Sequence, residues 1–111
     1  MKELNTIVDH LAAFAREQKL VARSLEGCSL LLRNEAKGNR LPRRLDPAAV
    51  KMNFRSHSLT FESGMLSFPY ISTQLDLYVE TEEIGWYKLV VRLDGENEDD
   101  YLVFYHAWKN E

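Results

Sequence analysis

The sequence predicts an α+β domain, an N-terminal amphipathic helix packed on a meandering antiparallel sheet of about five strands. Two observations carry that expectation. Apolar residues recur three and four apart from Leu4 to Leu25, and from Val50 onward the period of the apolar residues drops to two. The stretch between them, 34–49, holds two prolines, a glycine and most of the basic excess, and reads as a connecting loop. At 111 residues, 45% hydrophobic and 28% charged, the chain suits one domain spanning 1–111 that buries its core without disulfides or metal.

The helix is expected to start at Asn5 or Thr6, whose short side-chain oxygens suit an N-cap, with Asp9 favourably placed in the first turn. Leu4, Ile7, Leu11, Phe14, Val21 and Leu25 form its apolar stripe, with Gln18 alone out of place. Gly27 fits better just past a helix C-terminus than inside one, so the helix is expected to end near Glu26. An unbroken helix of over thirty residues would run about 48 Å, long for a domain of this size. Cys28 to Arg33 can be a strand or a second helix.

In the second half, Val50, Met52 and Phe54 alternate with polar residues, and so do Leu59 and Phe61, which suggests a first hairpin turning at Ser56-His57. Leu75, Leu77 and Val79 then face Tyr87, Leu89, Val91 and Leu93 across a second hairpin. Pairing Glu80 with Trp86 puts both apolar sets on one face, and a slip of one residue would send the core to water. The last strand, read as Tyr101 to Trp108, is apolar or aromatic on both faces. Large side chains must therefore reach the face away from the helix, where Tyr78, Trp86, Val90, Tyr101, Tyr105 and Trp108 form a candidate partner-binding patch unless the loop 34–49 or the segment 64–72 covers it. In shape, a helix followed by a meandering sheet is similar to the cystatin-like class, an analogy that carries no function.

Charge is distributed unevenly. Residues 1–36 balance five basic against five acidic side chains, 37–55 carry six basic and one acidic, and 56–111 carry three basic and eleven acidic. Arg40, Arg43, Arg44, Lys51 and Arg55 could neutralise phosphates, but an overall charge of −3 and the absence of a recognition-helix or aromatic RNA-binding motif make nucleic acid an unfavoured partner. The single cysteine, Cys28, allows no internal disulfide, no signal-peptide core follows Met1-Lys2-Glu3, and no apolar run approaches membrane-spanning length, so a cytoplasmic protein without a membrane partner is expected.

No catalytic, cofactor-binding or metal-binding residue is assigned, and no cofactor is expected. His10, His57 and His106 have no metal-ligand spacing, and Asp94 to Asp100 lack the placed ligands of a calcium loop, reading instead as a solvated hairpin tip. The favoured function is a non-catalytic protein-binding or inhibitor-type domain that uses the aromatic sheet face and the acidic 76–100 region, with a protein partner or a second copy of itself as a homodimer. The alternatives are a small-molecule pocket or small enzyme between helix and curved sheet, with a histidine as its acid–base group, and nucleic-acid binding through 37–55.

Overall fold

Two helices make up the first third of the chain, α1 (Lys2–Glu17) and α2 (Leu20–Lys37). The structure, a computed structural model, describes residues 2–42, 45–61 and 68–109. The break between the helices falls at Gln18-Lys19 and not at Gly27. Lys19 takes a left-handed conformation, φ 53°, which ends one helix and restarts the next. The break also changes the phase of burial. An unbroken stripe would carry Phe14 on to Val21 and Leu25, whereas α2 buries Leu20, Ser24, Cys28 and Leu32, each four residues from the last. Arg23 fixes the junction from below. Its guanidinium donates to the Gln18 carbonyl at 3.3 Å, to the Gly95 carbonyl at 2.9 Å and to the Asn97 side chain, tying the helix break to the far sheet turn.

Gly27 sits inside α2 because of what lies beneath it. A Cβ there would run into the Tyr87 hydroxyl, which stands under the helix and donates to Asp100 Oδ2 at 2.8 Å. The glycine was expected to end a helix; it serves a close helix–sheet approach instead. Cys28 to Arg33 is accordingly helical.

Four antiparallel strands follow in the order β1-β2-β3-β4: β1 (Val50–Thr60), β2 (Tyr70–Val79), β3 (Glu82–Arg92) and β4 (Asn97–Phe104). The expected fifth strand disappears because the first hairpin is one strand. Phe54 pairs with Leu75 and Ser56 with Gln74, so Arg55 is an extra residue, and this bulge shifts the alternation by one without turning the chain. In the second hairpin Trp86 opposes Asp76 instead of Glu80, four residues earlier. An even offset preserves the face, so Leu75 meets Tyr87 across the pair and the apolar sets share one side as expected. The hairpin closes through Glu80-Thr81, with Glu80 at φ 56°. The last strand begins earlier than Tyr101 and stops at Phe104; the next residues turn into a short helix, α3 (His106–Lys109).

All the core lies on one side of the sheet. Leu20, Cys28 and Leu32 of α2 pack on Ile71, Leu75, Leu77, Ile84, Tyr87, Leu89 and Val91, and Leu41 and Leu45 of the loop after α2 join the same cluster. No helix among the described residues is long and apolar enough to cross a membrane.

Candidate interaction surface on the outer sheet face

Alternation assigns Ser72, Gln74, Asp76, Tyr78, Trp86, Lys88, Val90, Tyr101 and Val103 to the face away from α2. This face has two ends of different character. At one end Ser72 and Val90 are buried although the core lies on the opposite side. The Arg92 guanidinium stacks there over the Phe68 ring, 4.5 Å from its centroid, so Phe68, just before β2, lies against this end. At the other end the aromatic residues remain accessible. Tyr78 and Trp86 are half-buried, and Tyr101 and Tyr105 are exposed.

The accessible end is held in place by hydrogen bonds. Glu83 accepts from the Tyr78 hydroxyl at 3.3 Å and from the Tyr105 hydroxyl at 3.0 Å, so one carboxylate fixes two rings. Beside them Arg55 Nη1 donates to Asp76 Oδ2 at 3.0 Å, and Asp76 also accepts from Gln74 at 3.3 Å. The Lys88 ammonium lies 5.1 Å from the Trp86 ring centroid. The Tyr78 hydroxyl is pushed above its ordinary range by burial and by the Glu83 and Asp76 charges, and the Tyr105 hydroxyl likewise by burial and its bond to Glu83. Both therefore stay protonated donors at neutral pH.

The structure brings only part of the anticipated patch together. Tyr78, Trp86, Tyr101 and Tyr105 share the outer face or its end. Val90 shares the face but is buried, and Trp108 belongs to the core, where its indole donates to Glu82 Oε2 at 2.9 Å. Trp108 was placed by continuing a strand that instead ends at Phe104, and the helical turn carries it to the other side. Arg55 was expected among phosphate-binding residues and stands beside the aromatic cluster, paired with Asp76. Arg40 is paired with Glu35 at 2.7 Å, Lys51 is exposed on β1, and Arg43 and Arg44 lie outside the described residues. The acidic 76–100 region divides in space: its two turns stand at opposite ends of β3, whose 11 residues span about 37 Å. Glu83 was missed as a site residue because a carboxylate in a turn-proximal acidic run carries no sign, in sequence, of the two hydroxyls that converge on it.

Several concavities lie on the helix side, and two of them bear on function. One, of about 490 Å³ between α2 and β4, is lined by Arg23, Asn34, Tyr87, Asn97 and Asp100 among others. The other, of about 340 Å³, runs between α1 and β1 and is lined by Val8, Leu11, Ala12, His57, Ser58, Leu59 and Ile71. His57 Nδ1 lies 2.8 Å from the Thr73 hydroxyl, and partial burial holds its pKa below the ordinary value. His10 and His106 are exposed elsewhere. Cys28 is buried and its thiol is pushed up to about 12 by desolvation and the Asp100 charge, which makes it a poor nucleophile. Among the described residues no group of three or more His, Cys, Asp or Glu side chains could hold a metal ion. Comparisons with protein-family models, with curated proteins and with solved structures returned no match.

Proposed function

We propose that this chain is a non-catalytic protein-binding domain that recognises a protein partner through the accessible end of the outer sheet face. The observation that supports this reading is the Glu83 carboxylate holding Tyr78 and Tyr105 beside Trp86 and the Arg55–Asp76 pair. Tryptophan, tyrosine and arginine dominate binding energy at interfaces, because they desolvate large surfaces while keeping a polar tip. Rings already fixed by hydrogen bonds lose little side-chain freedom on association. The carboxylates of Glu80 and Glu83 at the adjoining turn favour a partner with a basic rim.

A photo-crosslinking amino acid in place of Trp86, compared in the cell with the same group in place of Arg33 on the exposed side of α2, tests this reading. The expected result is one dominant protein adduct at position 86 that is lost when Tyr78 and Tyr105 are both alanine. Equal adduct patterns at 86 and 33 would contradict it.

A second reading, a small-molecule site, draws support from the cavity between α2 and β4, whose volume lies within the range of ligand pockets. A bound ligand there would raise the melting temperature of the wild type and not of Tyr87→Phe.

A further inference from the structure

We infer that an extended peptide with alternating basic and aliphatic side chains binds this chain by adding an antiparallel strand to the free edge of β4, in the trough between that edge and α2. The site borders the cavity of the small-molecule reading and stands independently of the outer-face reading. Strand order leaves β1 and β4 with one unpaired edge each. β1 is interrupted by the Arg55 bulge, whereas β4 is regular from Asp99 to Phe104. Parity then decides which backbone groups face outward. Just beyond β4 the Tyr105 N–H donates to the Ile84 carbonyl at 2.9 Å, so Val103, Tyr101 and Asp99 also turn their backbone groups toward β3. Asp100, Leu102 and Phe104 turn theirs away from it. The Asp100 N–H donates to the Asp99 side chain at 2.8 Å, and the N–H and C=O of Leu102 point out of the sheet edge, the pair of groups that an incoming strand uses.

Shape and charge select the occupant. The cavity of about 490 Å³ and a second of about 320 Å³ lie along β4 and share Leu31 of α2 as a wall. The first runs beside residues 97–100 and the second beside Leu102 and Phe104, so together they follow the 8 residues of β4, a length of about 26 Å. Leu31, Leu102 and Phe104 are only partly buried on the core they pack against, and aliphatic side chains entering the trough would complete their cover. Alternate side chains of an added strand fall instead on the outer face, beside Asp99 and next to Glu98, both exposed. Arg92 comes no nearer than 4.0 Å to Glu98, and among the described residues no cation pairs with Asp99. Lysine or arginine at those alternate positions therefore meets carboxylates without a close internal counter-charge.

Titration of the peptide acetyl-Lys-Val-Lys-Val-Lys-Val-Lys-amide into the isotope-labelled full chain, followed by NMR, tests this. In an antiparallel added strand the valines share the trough with Leu102 and aim their N–H groups at β4, while the lysine N–H groups point away. The largest shifts should fall on the Leu102 and Phe104 amides. N-methylation of the valines should weaken binding at least roughly tenfold, and N-methylation of the lysines should leave it unchanged. Asp99→Lys should also weaken it by roughly tenfold; position 99 is exposed, so circular dichroism should show this variant folded. No binding at millimolar peptide, the same response to both methylations, or full affinity in Asp99→Lys would overturn the inference. Shifts centred on Trp86 would overturn it and move the peptide to the outer sheet face, and shifts at Leu102 that grow with protein concentration alone would give the edge to a second copy instead. Loss of position-86 adducts with edge binding intact would count against the proposed function alone.

Discussion

The two helices share amphipathic character and differ in what becomes of it. α2 lays Leu20, Cys28 and Leu32 on the sheet and brings Gly27 close against the Tyr87 hydroxyl, while α1 buries Ala15 and holds Ile7 and Val8 out in solvent. A three-and-four spacing reports that a helix has an apolar face; it does not say which surface covers that face, or whether the surface belongs to the same chain. The same division runs through the sheet, where β2 and β3 are sealed by α2 and the helix side of β1 is left open at Phe54.

Truncation in each helix breaks this comparison most sharply. Leu32→Ala removes a fully enclosed side chain and should cost about 2–5 kcal/mol in urea unfolding, whereas Ile7→Ala should stay within about 0.5 kcal/mol for the monomer. Equal costs would mean that α1 is packed as α2 is. Gly27→Ala comes next. Helix propensity alone would favour alanine by about 1 kcal/mol, but the new methyl meets the Tyr87 hydroxyl, so a net loss of about 1–3 kcal/mol is expected. In a Tyr87→Phe background the same change should become neutral or stabilising. Persistence of the full penalty there would place the obstruction elsewhere.

The buried thiol gives a pH dependence. Cys28 ionises at its ordinary value of 9.0 in the unfolded chain and at about 12 in the folded one. Above pH 9 the unfolded chain alone releases the proton. The stability contributed by the protonated thiol is therefore complete below pH 9 and declines, by at most about 1.4 kcal/mol per pH unit, as pH rises toward 12. Cys28→Ala should flatten that alkaline decline in chemical denaturation, and an unchanged slope would deny the thiol this role. The smallest effect belongs to Ser24, whose hydroxyl is enclosed under α2 with no hydrogen-bond partner among the described residues. Ser24→Ala should be neutral or raise stability by up to about 1 kcal/mol; a clear loss would reveal a bond to that hydroxyl.

Much of the fold could be read from the chain, because period and parity are local properties. The apolar faces of β2 and β3, and the presence of Tyr78 and Trp86 opposite them, follow from alternation alone. Three features escaped for identifiable reasons. A bulge at Arg55 and a turn at Ser56-His57 give the same one-residue shift of pattern, and only the pairing with β2 tells them apart. The helix break at Lys19 uses no glycine or proline, since it is fixed by Arg23 bonding to a turn 72 residues away. Gly27 has two uses, ending a helix or admitting a neighbour, and choosing between them needs the position of Tyr87. Of the site, the ring identities were legible on the outer face, and their organisation by Glu83 was not, because it joins residues from two strands and the segment beyond β4.

The unequal status of the two helices is tested most directly by native-state hydrogen exchange. Amides of α2 from Leu20 to Leu32 should be among the slowest in the chain, opening only with global unfolding, and amides at residues 6–11 should exchange much faster through local opening of α1. Protection of residues 6–11 equal to that of α2 would contradict the account.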